Sequence, residues 1–208
     1  MKVTILFALI VLVSVCSSVT PGETSSSSEQ NPEPAGATAW SVGDPGAPVS
    51  VEMFNDYQCP PCATLNQELK RIEAKYEGKV RIIFRNYPLT RTHQNALTAA
   101  QAAEAAGLQG KFIEMIELLY AGQQEWAEST NSRQIFKTYA RKLKLDGRKF
   151  DADVKGQRVS ERIGFDVARA KSLNVPGTPT VLLNGKMIDK EMNANIGQLI
   201  DEAFKIKP

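Results

Sequence analysis

Cys59 and Cys62 stand two residues apart in the stretch FNDYQCPPCATLNQEL, with Pro60 and Pro61 between them. Two thiols at that spacing can close a disulfide with each other, form half of a four-ligand zinc site, or supply the nucleophile of a Cys–His hydrolase. Zinc needs two further ligands, and the rest of the chain offers one histidine, His93, and one cysteine, Cys16. A hydrolase needs His93 as its base, but a lone histidine beside Thr92 at a predicted helix start reads as an exposed or capping residue. An inert disulfide closing so small a loop adds modest stability. Thiol–disulfide exchange requires only the pair: a thiolate attacks a disulfide, a mixed disulfide forms, and the second thiol resolves it.

The elements around the pair suit that chemistry. VSVEMF, residues 49–54, alternates apolar and polar residues as a strand and delivers the chain to Cys59. Beyond the prolines, Cys62, Leu65, Leu69, Ile72 and Tyr76 fall at helical spacing, and proline suits the first turn of a helix. Cys59 at that helix start meets unpaired N–H groups and the helix dipole, which predicts a lowered pKa and the role of nucleophile. Cys62, one turn deeper against the apolar stripe, is placed to resolve.

VRIIFRNYPL, residues 80–89, reads as a second strand, so strand–helix–strand predicts a parallel pair with a right-handed crossover. From Thr92 to about Leu173 the pattern is helical, a lobe followed by a helix returning to the sheet. Asn184-Gly185 between TVLL and KMI predicts a tight hairpin, and Ile196, Leu199, Ile200 and Phe204 mark a last amphipathic helix.

The chain has 208 residues and a 42% hydrophobic share, enough for one core with an inserted lobe. Lysine plus arginine (25) nearly balances aspartate plus glutamate (23), so net charge draws it to neither nucleic acid nor anionic lipid. Lys2, the apolar run Val3–Val15 and the small residues after it read for residues 1–18 as an export signal, or as a lipoprotein-type or uncleaved N-terminal anchor using Cys16. Residues 19–39, rich in Ser, Pro and Glu, read as a disordered tether. Both imply work outside the cytoplasm, in the periplasm or at the cell surface, where disulfides persist.

VEMFNDYQCPPC, the helical lobe and NVPGTPTVLLNG, with GKFIEMIELLY and FRNYPL, resemble the DsbA-like branch of the thioredoxin superfamily across residues 40–208. The resemblance implies an α/β thioredoxin fold with a central mixed β-sheet and a helical insertion at about 90–157. It implies a cis Pro179 beside the cysteines, with Thr178 before it free to pair with a substrate strand. It also implies a groove framed by the lobe in which Thr178, Tyr57, Pro60 and Pro61 meet substrate, with Phe54 and Val175 near the rim.

Two departures stand out. Met53 occupies the position at which family members often bury an acid under the disulfide, and Glu52, one residue off on a strand, faces the other way. Pro61 stands where strongly oxidising members have histidine, which implies a weaker oxidant, with a potential of about -270 to -120 mV. The implied activity is an extracytoplasmic dithiol oxidase that needs no metal or organic cofactor and is reoxidised by a quinone-linked membrane partner (DsbB- or VKOR-like). A reductase or isomerase of the same fold, or a non-catalytic peptide-binding module, would read the same way. Its substrates are reduced or unfolded exported proteins, it binds no nucleic acid, and the polar tether offers no dimer interface, which favours a monomer.

Overall fold

The computed structural model describes residues 39–189, 193 and 195–206. The segment 1–18 with Cys16, and the tether up to residue 38, lie outside the described residues. Five strands form one mixed sheet in the order β1-β3-β2-β4-β5. They are β1 (Trp40–Val42), β2 (Val49–Asn55), β3 (Val80–Asn86), β4 (Thr180–Leu183) and β5 (Lys186–Met187). This is a thioredoxin fold with an inserted helical lobe.

β2 pairs parallel with β3 and antiparallel with β4, so it lies at the centre of the sheet and buries every residue but Ser50. Its alternating sequence therefore sorts side chains between two covered faces, not between core and water. Val49, Val51 and Met53 join the main core, which also holds the apolar stripe of α1 (Pro60–Lys75) and Ile196 and Ile200 of α8 (Ile196–Ile206). Phe54 enters a smaller cluster with Ala170, Val175 and Leu182. The Asn184-Gly185 turn has positive φ at both residues, as a two-residue hairpin loop requires, and Leu183 pairs with Lys186 across it. Asn184 also ties the turn to β2, its side chain accepting from the Ser50 N–H at 2.8 Å.

β1 was not predicted. Its three residues are too few to show a period, and what holds it is Trp40, whose ring stacks on Phe112 at 5.2 Å and whose indole N–H donates to Glu104 Oε2 at 2.8 Å. Gly107 leaves room for that ring: a Cβ there would lie 2.4 Å from Trp40 Cζ2.

The lobe consists of α2 (Ala96–Gly107), α3 (Phe112–Ala121), α4 (Gln123–Trp126), α5 (Ser132–Lys142) and α6 (Gly147–Asp153), after which α7 (Gln157–Ser172) returns to the sheet. α2 is alanine-rich and buried almost throughout, so its neighbours approach closely on several sides. The helix predicted to return to the sheet is α7, separated from α6 by a short break. Asp146 caps α6 by accepting from the N–H groups of Arg148 and Lys149, and the chain turns at Gly156 before α7 begins.

α7 closes the second face of the sheet through charge. Arg169 forms a two-pronged bond to Glu52 at 2.6 and 2.7 Å, Arg85 reaches Glu52 at 2.6 Å and Asp166 at 3.1 Å, and the Asn86 N–H donates to Asp166 at 2.9 Å. Burial disfavours the Glu52 carboxylate, but the Arg169 and Arg85 bonds outweigh it and hold its pKa below the usual range. For Asp166 burial prevails over those contacts and pushes the pKa up to about 6. Arg85→Met removes the cation shared by two buried carboxylates, and urea unfolding is expected to show a loss of about 3–5 kcal/mol.

Candidate active site

β2 ends at Asn55, and Asp56, Tyr57, Gln58 and Cys59 form the loop into α1. Cys59 is the N-cap residue, its backbone extended at φ -78° and ψ 116°, and Pro60 and Pro61 occupy the first two helical positions. The prolines leave no N–H unpaired where the helix offers no partner, so the sequence PP starts α1 immediately behind the first cysteine. Both prolines are exposed, Cys59 is 6% exposed and Cys62 is 0% exposed. One sulfur is thus reached from the loop side and the other is sealed under the helix.

The Thr178–Pro179 peptide bond is cis. The Thr178 carbonyl lies 3.5 Å from Cys59 Sγ, across 119 residues of sequence. Pro179 is buried and Thr178 half-buried.

The two thiols differ sharply in acidity. A hydrogen bond from Cys62 favours the Cys59 thiolate most; burial opposes it, Thr178 and the Cys62 backbone N–H add to it, and Cys59 falls to about 6, the charge of Asp56 being a small opposing effect. Burial, with the neighbouring Cys59 sulfur, raises Cys62 far above the usual thiol range. One group is ionised near neutral pH and its partner keeps its proton.

The loop is fixed from the lobe. The Asp56 carboxylate is wholly buried and accepts from Gln58 N at 2.7 Å, Leu89 N at 2.9 Å and His93 Nδ1 at 2.7 Å. Gln58 donates to the Ala127 carbonyl at 2.8 Å and accepts from Asn95 N at 2.8 Å. The Asn95 amide binds the carbonyls of Trp126, Ala127 and Ser129 at 2.9–3.0 Å. Gln123 donates to the Tyr57 carbonyl at 2.7 Å. Among the described residues no group of three or more His, Cys, Asp or Glu side chains could hold a metal ion.

A family model described as Thioredoxin matches residues 36–202. The chain belongs to the thioredoxin family. It is 28% identical over 174 residues to the probable disulfide bond formation protein D of Bacillus anthracis, covering 81% of this chain and 80% of that protein. A thioredoxin-like oxidoreductase from Silicibacter pomeroyi DSS-3 superposes with a TM-score of 0.65 at 25% identity, covering 81% of this chain and 94% of that one. The Na(+)/H(+) antiporter NhaA 1 of Mycobacterium sp. (strain KMS) is 33% identical over 148 residues, 69% of this chain and 23% of the antiporter. The chain therefore spans under a quarter of the length of that relative.

Of the predicted site residues, the structure brings Cys59, Cys62 and Thr178 together and leaves Pro60 and Pro61 facing solvent. Tyr57 is not at a substrate surface: it is 1% exposed, packed on Tyr120 with ring centroids 5.4 Å apart. Phe54 and Val175 also belong to the core, so these three side chains form no groove rim. Phe54 lies on β2, Tyr57 in the loop before α1 and Val175 between α7 and β4, and each packs into the interior. A cavity of about 300 Å³ lies within the lobe, lined by Ala102, Phe136, Phe150 and Val154 among others and by neither cysteine. Glu52 faces away from Met53, toward α7. His93 is not a free surface residue but the partner of buried Asp56. The only sequence signal for that pair was that the chain has a single histidine.

The thiolate absorbance of the reduced protein is expected to titrate near about 6, to vanish in that range in Cys59→Ser, and to shift upward in Cys62→Ala. Because the folded state lowers the Cys59 pKa from 9.0, the stabilisation is fully present above about 9 and lost as pH falls through about 6. Unfolding free energy of the dithiol form should therefore rise across that window, with a slope that Cys59→Ser lacks.

Proposed function

We propose that this protein is an extracytoplasmic dithiol oxidase that forms disulfides in exported proteins, using Cys59 as nucleophile and Cys62 as resolving thiol. The observation that carries the reading is the unequal acidity of the two sulfurs, about 6 at Cys59 against a strongly raised Cys62. A substrate thiolate attacks Cys59 of the Cys59–Cys62 disulfide and Cys62 leaves. A second substrate thiolate attacks the substrate sulfur of the mixed disulfide, and Cys59 leaves as a stable thiolate. The substrate gives up two electrons and two protons. A low pKa makes Cys59 a good leaving group, which favours passing the disulfide on.

Cys59 lies between the ordinary thiolates of reductant proteins near about 7 and the strongest oxidants near about 3.5, in keeping with proline in place of histidine at position 61. Substrate would lie over exposed Pro60 and Pro61 and pair with the Thr178 backbone beside Pro179. The reaction needs no organic cofactor or metal, since the electrons leave through a second thiol–disulfide exchange with a quinone-linked membrane partner, DsbB- or VKOR-like. Residues 1–18 serve as export signal or anchor, 19–39 as tether, and 40–208 as the monomeric catalytic domain. The likeness to one stretch of a membrane antiporter is in keeping with work at a membrane surface. Among the described residues no helix is long and apolar enough to cross a membrane.

The test is the equilibrium reduction potential in glutathione buffers, read by thiol trapping. A value above about -200 mV is expected, and one near -270 mV or lower would assign the chain to reduction or isomerisation instead. Cys62→Ser, whose Cys59 thiolate has no resolving partner, is expected to accumulate mixed disulfides with a disulfide-bonded substrate, one substrate thiolate leaving, and Cys59→Ser to form none. A parent protein that binds peptides without any exchange would make it a binding module.

A further inference from the structure

His93 is the only histidine in the chain, and its ring nitrogen Nδ1 lies 2.7 Å from Asp56 Oδ2. The Asp56 side chain is 0% exposed and that of His93 is 23% exposed, so the pair runs from the interior to the surface. Asp56 stands three residues before Cys59. Its backbone carbonyl accepts from the Cys59 N–H at 3.1 Å, and its carboxylate accepts from Gln58 N and Leu89 N, which fixes the loop. The same negative charge opposes ionisation of Cys59. The group that builds the site thus opposes, by a small amount, the thiolate the site must hold. The imidazole on its outer side can cancel that charge by taking up a proton.

We propose that Asp56 and His93 form a proton-coupled positioning pair: the buried carboxylate fixes the loop carrying Cys59, and proton uptake by His93 cancels its charge, linking protonation of the ring to ionisation of Cys59. The proposal rests on Cys59 being the thiol that ionises and is independent of the direction of electron flow. When substrate is oxidised, its two electrons enter the Cys59–Cys62 bond. One of its protons ends on Cys62 and the other on His93, leaving Cys59 as thiolate.

Other charged and titratable groups surround the pair. The loop contributes Cys59 and α1 contributes Cys62. Tyr120 of α3 feels the Asp56 charge. Glu128, beyond α4, bonds to Gln58 at 3.4 Å and to Gln94 at 3.2 Å. Arg91, two positions before His93, is exposed and so well screened.

Coupling of this kind is reciprocal. The first measurement is the proton NMR titration of the single histidine ring in the full chain, in dithiol and disulfide forms. A higher midpoint in the dithiol form is expected, because the thiolate adds negative charge beside the pair; equal midpoints would overturn the proposal. The second uses His93→Gln, whose amide can still donate to Asp56. Its Cys59 titration should move up, lowering the thiolate fraction near pH 6 by about twofold or more. Asp56→Asn should move it down, and adding His93→Gln to Asp56→Asn should change nothing further. A folded His93→Gln protein with an unmoved Cys59 titration would reduce the pair to a structural tie. Should these variants not fold, the ring titration of the parent decides. A parent with no thiolate band in this range would sink the assignment of Cys59 as well, whereas a normal band without coupling sinks only the pair.

Discussion

The parallel pairing of β2 with β3 is the constraint from which the rest of the site follows. Two parallel neighbours need a crossover, and the crossover here is α1, packed through Cys62, Leu65, Leu69 and Ile72 onto the sheet. Its start must then lie just past the end of β2, where Cys59 becomes the N-cap. Antiparallel β4 on the other edge of β2 brings Thr178 to the same end of the sheet. A loop and a strand 119 residues apart in sequence meet there because both flank one central strand.

The two faces of that strand are held differently. One is an ordinary apolar core. The other is closed by α7 through Glu52, Arg85, Asp166 and Arg169, buried charges that are tolerable only as a set. Such a network fixes where α7 sits more narrowly than apolar contact would, since each guanidinium must meet its carboxylate. The lobe is joined to the active-site loop by hydrogen bonds of Asp56, Gln58 and Asn95 as well as by the packing of Tyr57 on Tyr120. Cys59 can therefore stay at the edge of the core, 6% exposed, while the loop that carries it is held by hydrogen bonds from the lobe.

That support defines the electrostatics of the sulfur. The contribution that favours the Cys59 thiolate most comes from Cys62, the thiol it must later rejoin, so the redox partner and the charge stabiliser are one group. Asp56 pulls the other way and is itself tied to the surface through His93. The local charge balance thus depends on three side chains brought in by the strand end, the first helix and the turn before α2.

Local patterns decided much from the sequence alone. Cys-Pro-Pro-Cys after a strand determines a helix that begins at the prolines, because proline suits an N-terminus and nothing later in a helix. The stripe from Cys62 to Ile72 determines which face is buried, and Asn184-Gly185 determines the hairpin, since both residues must take positive φ. Glu52 could be turned away from Met53 by strand parity. What only the tertiary structure decided are contacts made by single residues across long separations: Trp40 in β1, the arginine and carboxylate set under α7, the inward turn of Tyr57, and the Asp56–His93 pair. Their physical reason is common to all. Burial of an apolar stripe leaves a period in the sequence, whereas a hydrogen bond between single residues leaves none, and only the fold reveals which partner each has found.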